Sequence, residues 1–195
     1  ALYYDVSAFR IDFKDKIEQR QISPSDIRRI NSGDARHQGL EAALEWELFA
    51  GALAEREDSL VLYTSAAWLD AEIVRSESAT LVGNTPGFAP EWIWRAGLIY
   101  RNADGLKLAL SGTHVSEHYW QDSNRAGGSA SQPIPAEIPA YTVVDVSAEV
   151  PISPTITLQA GVNNLLDERY YSRVRSDGIE PANKRNWYAG VRLRF

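Results

Sequence analysis

Asn186-Trp187-Tyr188-Ala189-Gly190-Val191-Arg192-Leu193-Arg194-Phe195 closes the chain. Its odd positions, Trp187, Ala189, Val191, Leu193 and Phe195, are apolar. Its even positions, Asn186, Gly190, Arg192 and Arg194, are polar or small, with Tyr188 as the exception. A period of two describes a strand with one oily face and one wet face. A strand of this kind that ends on a bare aromatic points to the closing strand of a membrane barrel, oily toward lipid and wet toward the lumen.

The same alternation recurs upstream. Strands are expected at roughly 2–13, 38–49, 60–70, 92–100, 106–115, 141–150, 155–165 and 186–195. Leu40, Ala42, Leu44, Trp46 and Leu48 oppose Glu41, Glu45 and Glu47; Trp92, Trp94, Ala96, Leu98 and Tyr100 oppose Arg95 and Gly97. Leu106, Leu108 and Leu110 oppose Lys107 and Ser111; Val144, Val146, Ala148 and Val150 oppose Asp145, Ser147 and Glu149; Ile156, Leu158, Ala160 and Val162 oppose Thr157, Gln159 and Asn163. The first strand keeps the rule through Tyr4, Val6 and Ala8, then changes phase near Phe9, which a bulge or emergence from the membrane would explain. The third is ambiguous, because Leu62 and Tyr63 are both large and apolar.

The connections alternate. Segments 14–37, 71–91, 116–140 and 166–185 are long, whereas 50–59, 101–105 and 151–154 are short. Long extracellular loops and short periplasmic turns give this pattern in transmembrane barrels, and a Greek-key sandwich has no reason to keep it. Asn102-Ala103-Asp104-Gly105 suits a tight turn, Pro151-Ile152-Ser153-Pro154 interrupts pairing, and Gly127-Gly128-Ser129-Ala130-Ser131 is flexible by composition. With Phe195 periplasmic, Trp68, Trp92, Trp94 and Trp187 fall at the extracellular interface and Tyr4, Trp46, Tyr100 and Phe195 at the periplasmic one, the two girdles that amphipathic rings prefer. The fold expected is an all-β, antiparallel up-and-down transmembrane barrel segment of about eight strands. The competing reading is a soluble barrel or sandwich with the oily face inside.

Composition narrows the function classes. In 195 residues with 44% hydrophobic content, no run approaches the ~20 apolar residues of a spanning helix, so a helical membrane protein is excluded. The net charge of −6 and the lack of a basic stripe argue against nucleic acid as a partner. With no cysteine, neither a disulfide framework nor a thiolate metal site can form. The chain has no methionine and opens mid-strand at Ala1-Leu2-Tyr3-Tyr4, which is expected of a mature product or a fragment, with the fragment favoured.

No catalytic constellation is present: no nucleophile elbow and no phosphate-cradling loop. No enzyme activity and no cofactor are expected. His114 and His118 are four apart, so a strand would put them on one side, outward with Leu106, Leu108 and Leu110. A structural or solvated pair is the reading, and no metal site is assigned. The candidate ligand contacts are in the last long loop. If the seventh strand continues in phase with Asn163, then Tyr171, Arg173 and Arg175 point to the lumen, with Arg185 on the strand that returns. Guanidinium groups over a barrel mouth suit anionic ligands. Simple solvation, or the phosphates of lipopolysaccharide, would also satisfy them. Tyr119, Trp120 and Arg125 form a second, weaker cluster.

Three segments resemble a known family. Asn31-Ser32-Gly33-Asp34-Ala35-Arg36-His37-Gln38-Gly39-Leu40-Glu41 resembles the start of a barrel strand in TonB-dependent outer-membrane receptors. Gly83-Asn84-Thr85-Pro86-Gly87-Phe88-Ala89-Pro90 is similar to that family's Pro-rich strand entry, with Thr85 where a hydrophobic residue is common. Gly161-Val162-Asn163-Asn164-Leu165-Leu166-Asp167-Glu168-Arg169-Tyr170-Tyr171, followed by the terminal Phe195, is similar to its C-terminal signature. Gly178–Arg185 is similar to the ferric-citrate-like branch.

The resemblance implies a 22-stranded barrel with a plug in its lumen, of which residues 1–195 would be the last eight strands, without the plug, the TonB-contacting region or the earlier strands. It implies residence in the outer membrane of a Gram-negative bacterium and import of an iron-siderophore or other metal chelate. Partners would be membrane lipid and lipopolysaccharide, TonB through the missing N-terminal region, and the barrel-assembly machinery through the C-terminal strand. The alternative is a complete small eight-stranded outer-membrane barrel with a structural or adhesive role. Gly33, Gly39, Asn163, Asn164 and Asp167 are expected to shape backbone rather than touch ligand.

Overall fold

The structure, a computed structural model, describes residues 1–23, 26–50, 58–125, 133–175 and 177–195. The Gly127–Ser131 run lies outside the described residues. Strands follow in the order β1 (Leu2–Ser23), β2 (Asp26–Ala50), β3 (Ser59–Ser76), β4 (Trp92–Arg101), β5 (Lys107–Val115), β6 (His118–Tyr119), β7 (Glu137–Ile138), β8 (Tyr141–Ser153), β9 (Ile156–Asn163), β10 (Tyr171–Arg175), β11 (Gly178–Pro181) and β12 (Asn186–Leu193). Eight of them form one sheet in the order β1-β2-β3-β4-β5-β8-β9-β12, while β6-β7 and β10-β11 are separate two-stranded ribbons. Every neighbouring pair in the large sheet is antiparallel. The result is an up-and-down meander, and the long connections rise from one of its ends.

The expected long loop 14–37 is a hairpin instead. β1 and β2 stay paired out to Ser23 and Asp26, with register shifts only beyond Phe13. The change of phase near Phe9 involves no bulge, since Leu2↔Trp46 through Phe13↔Ala35 is an unbroken ladder. What changes is polarity. Below this height the even residues of β1 and β2 are oily. Above it, Arg10, Asp12, Arg36 and Gln38 take the outer face, tied by Arg36–Asp12 at 3.1 Å and by Gln38 to Asp70 at 2.8 Å. Phe13 and His37 take the inner face and meet edge to face at 5.0 Å. One strand thus passes from an oily to a polar outer face without changing its pleat, as emergence from a membrane would require.

Register settles the third strand. Leu62 pairs with Trp46 and Leu98, all outward, whereas Tyr63 pairs with Glu45 and Gly97 on the inner face. Leu2, Trp46, Leu62, Leu98, Leu110, Val146, Val162 and Trp187 occupy a single register row. The sequence reading expects Trp46 in a periplasmic girdle and Trp187 in an extracellular one. In a wall whose strands tilt by about 40°, spaced about 4.8 Å, such a row climbs on the order of 20 Å over this many strands. A tilt of that size would let both expected girdles share one row.

The burial pattern is inside out. Outward side chains are large and exposed: Trp94 at 52%, Leu110 at 43% and Trp187 at 81%. The buried apolar residues among those described are Ala35, Ala71, Ile73, Ala89, Val115, Ile138 and Val174, at the upper end of the wall or in the loops above it. A soluble barrel or sandwich would bury the large side chains, because each is worth about 1.5–3 kcal/mol when removed from water. The polar face carries its own ion pairs. Lys107 at 3.2 Å and Arg192 at 3.1 Å both pair with Glu149, linking β5, β8 and β12 across it.

Candidate functional site: the outer vestibule

Above the wall, the first hairpin is held by one guanidinium. Arg75 Nε and Nη2 donate to the two oxygens of Asp34 at 2.7 and 2.8 Å, and Nη2 also donates to Asp15 at 3.1 Å. Two unusual backbones sit there, Asp15 at φ +55° and Gly33 at φ +126°. Asp15 donates its N–H to Asp34 at 2.9 Å, and Asn31 bonds both the Asp15 carboxylate and the Gly33 N–H. The Arg75 bonds, and then the Asp15 N–H, lower the Asp34 pKa to about 2. A Cβ on Gly33 would collide with the Arg75 carbonyl. The Asn31–Glu41 segment therefore builds a clamped bulge.

The Pro-rich segment is braced from the loop after β5. Asn124 and the backbone of Thr85 exchange two bonds of 2.8 Å, as a strand pair would. Asp122 accepts from the Gly87 N–H at 2.8 Å and from Lys16 Nζ at 3.0 Å. Thr85 is used here through its main chain, so its departure from the family's hydrophobic preference is of no consequence to this contact. Tyr119 faces Glu137 across β6-β7, and that hydrogen bond, followed by burial, raises its pKa. Trp120 Nε1 donates to the Pro135 carbonyl at 2.6 Å. The second candidate cluster is thus largely tied into the brace, while Arg125 is exposed.

The last long loop departs from the expected phase. β9 stops at Asn163, and Asn164 and Asp167 turn the chain with φ of +53° and +56°. Asn164 is 3% exposed and fully used: its N–H donates to Asp145, its Nδ2 to the carbonyls of Glu168 and Asn183, and its Oδ1 accepts from the Glu168 N–H. Asp167 accepts the Arg185 N–H at 2.9 Å, which lowers its pKa. Asn163 instead bonds Asn186 across the β9-β12 pair at 2.9 Å. The Asn-Leu-x-Asp signature is a loop-closing device, in line with its expected structural role.

Tyr171, Arg173 and Arg175 consequently lie on the separate β10-β11 ribbon rather than on a continuation of β9. Val174 is fully buried, so Arg173 and Arg175 take the opposite face of β10. Arg175 pairs with Glu180 at 2.9 Å, Arg185 reaches the Leu165 carbonyl at 3.4 Å, and Arg173 stays exposed. One feature had no sequence signal: Tyr141, on the inner face of β8, stacks on Tyr170 at 4.3 Å and 21°. The two histidines are separated by a strand break, because His114 bonds Thr142 from β5 and His118 sits in β6 with Nδ1 on the Ser116 carbonyl. Among the described residues no group of three or more His, Cys, Asp or Glu could hold a metal.

A meander with one oily face, one charged face and braced loops at one end is the architecture of a transmembrane β-barrel wall. Residues 1–165 match the family described as "TonB dependent receptor-like, beta-barrel", and the chain belongs to that family. The metal-pseudopaline receptor CntO of Pseudomonas aeruginosa is 30% identical over 165 residues, covering 84% of this chain and 21% of that protein. The vitamin B12 transporter BtuB of Vibrio vulnificus is 25% identical over 193 residues, covering 98% of this chain and 27% of that protein. Among solved structures, the ferric citrate transporter FecA superposes with a TM-score of 0.80 at 24% identity, over 100% of this chain and 29% of that one. The siderophore receptor PiuA of Acinetobacter baumannii gives 0.72 at 19%, over 98% and 26%. The chain thus spans between a fifth and a third of the length of these relatives. The family resides in the Gram-negative outer membrane.

Proposed function

We propose that this chain is the C-terminal part of an outer-membrane importer's barrel and supplies wall and outer vestibule for uptake of an iron-siderophore or similar metal chelate. The observation that carries this is the family match over residues 1–165 on a wall whose lipid-facing side is oily and whose lumen side is charged. In this reading the plug and the TonB-contacting region belong to the rest of a longer receptor, TonB-coupled energy drives import, and the chain has no catalytic role. The described vestibule residues best suited to an anionic chelate are exposed Arg173 and the stacked Tyr141–Tyr170 pair, with Tyr171 beside them. Arg175 and Arg185 would contribute after exchanging their present partners.

The test is uptake by a strain lacking the gene and complemented with the full-length receptor. Under metal limitation, chelates labelled with radioactive iron, nickel or zinc are supplied one at a time. Restoration of uptake for at least one chelate, weakened about tenfold by Arg173→Ala through loss of a charge-assisted bond, supports the proposal. Equal accumulation with and without the gene for every chelate sinks it and turns attention to a structural or adhesive barrel.

A further inference from the structure

On the oily face of the wall, at the upper end of β4 and β5, lies a depression of about 540 Å³ lined by Glu91, Trp92, Trp94, His114, Ser116 and Glu117. Its volume is within the ~300–1,000 Å³ of small-ligand sites. It faces away from the lumen, so nothing in the import reading uses it. The two indoles are successive outward residues of β4, with centroids 5.9 Å apart and planes tilted by 55°, so they present two faces at an angle. Glu91 precedes β4 and Glu117 follows β5, so both carboxylates stand on the loop side of the indoles. The polar end of the depression is therefore its loop end.

Donors and acceptors are both present. Trp68 Nε1 donates to Glu91 Oε1 at 3.1 Å, which fixes that carboxylate and leaves its second oxygen as an acceptor. Glu117 is exposed. His114 Nδ1 meets Thr142 Oγ1 at 2.9 Å. In the tautomer that donates from Nδ1, Nε2 is a further acceptor. The indole N–H groups of Trp92 and Trp94 are donors with no partner among the described residues. Ser116 Oγ accepts the Trp92 main-chain N–H at 3.1 Å, locking the loop edge to β4. No lysine or arginine is among the described lining residues.

We propose that this depression seats a neutral sugar ring from the core of the lipopolysaccharide around the barrel. The ring quadrupole gives each indole a negative face, against which the positively polarised C–H groups of a pyranose pack. Each sugar hydroxyl both donates and accepts, and the site offers both kinds of partner. A phosphate would meet two carboxylates and no cation. An ammonium has only donors and would leave the indole N–H groups unused. An acyl chain would leave the carboxylates and the imidazole unsatisfied. The same carboxylates repel the phosphorylated sugars of lipid A and the acidic sugars next to it. What remains is a neutral ring further out, at the loop end where Glu91 and Glu117 stand. The proposal rests on the reading that the oily face meets the outer leaflet.

The experiment uses the full-length receptor folded in micelles and mixed with equal amounts of three purified glycolipids. These are lipid A, lipid A carrying only its acidic inner sugars, and lipopolysaccharide with a neutral, dephosphorylated heptose–hexose core. Native mass spectrometry identifies what is retained. Wild type is expected to retain the neutral-core form over either of the others by roughly fivefold, the scale of one stacked ring. Trp94→Ala should bring that ratio to about one. Glu117→Ala, at an exposed loop position, should lower it by about twofold through loss of a charged acceptor. Equal retention of the three forms by wild type, or an undiminished preference in either variant, overturns the site. So does a preference for the acidic or phosphorylated forms, or one that EDTA abolishes, since a metal-bridged anion would then be the occupant. Failure of the wild type to enter lipid vesicles overturns the membrane reading beneath the proposal, and the heat-dependent gel mobility of folded barrels separates that outcome from loss of sugar preference alone.

Discussion

The ring of Tyr63 on β3 lies across the backbone of Gly97, its register partner on β4, so closely that a Cβ on Gly97 would collide with it, 2.3 Å from Cζ and from the hydroxyl oxygen. The arrangement repeats on the inner face. A Cβ on Gly161 would stand 2.6 Å from the Tyr188 ring and one on Gly39 3.0 Å from the Phe9 ring, and both glycines are direct partners of those aromatics. An aromatic folded over a cross-strand glycine covers exposed backbone and pins register. Replacing Gly97 by alanine is therefore expected to cost about 1–3 kcal/mol, as overpacking does. Urea titration of the barrel in micelles reads this out, and adding Tyr63→Ala should return most of the loss. Additive losses would mean that the ring does not meet the new methyl.

The two faces should respond oppositely to charge. Leu110 points to lipid and Ser111, one residue on, points to the lumen. Leu110→Arg is expected to destabilise the folded barrel by about 2–4 kcal/mol if it lies near mid-bilayer, and Ser111→Arg by less than about 1 kcal/mol as a solvated substitution. Folding equilibria in lipid vesicles decide it, and the reverse order would restore the soluble reading.

Asn164 concentrates a turn's polar contacts in one buried side chain. Asn164→Ala strips partners from buried backbone groups, each worth about 1–3 kcal/mol, so a loss of roughly 2–4 kcal/mol is expected. Asn164→Gly keeps the positive φ but not the amide, and should be nearly as harmful. Thermal unfolding of both variants separates backbone strain from hydrogen bonding.

Acid should loosen the outer hairpin before the wall. The Asp34 pKa is depressed from 3.8 to about 2 by Arg75, so the clamp's contribution is complete above about pH 4 and is lost as pH falls toward 2. Corrected for the strongly pH-dependent intrinsic exchange rate, the protection of amides flanking Asp15 and Gly33 should fall over that window in wild type. In Arg75→Gln that protection should already be lost at pH 7 and stay nearly flat with pH.

The wall was legible from sequence because a period of two survives any tilt or curvature. The faces of β2, β4, β5, β8, β9 and β12 follow directly from residues such as Trp46, Leu98 and Val191. Leu62 and Tyr63 were not separable, since only pairing with Gly97 shows which of them turns inward. The hairpin beyond Phe13 was hidden for a related reason: its oily and polar faces exchange, so a pattern keyed to lipid ends where the strand does not. The vestibule was least legible. Continuing β9 in phase carries Tyr171 and Arg175 to the lumen, and the left-handed turn at Asn164 and Asp167 breaks that continuity. Contacts such as Lys16 with Asp122 join residues 106 positions apart, and no local pattern announces them.

The unbroken ladder from Leu2 to Phe13 sets how this chain tolerates mutation. Because a single pleat serves lipid below and water above, inserting or deleting one residue near Ala8 would rotate one half against the other. Charges such as Arg10 and Asp12 would then exchange sides with Ile11 and Phe13 while every hydrogen bond could still form. Length changes are therefore expected to be purged from this strand and to accumulate in the loops, so that homologous receptors can vary what they catch without altering the wall that holds it.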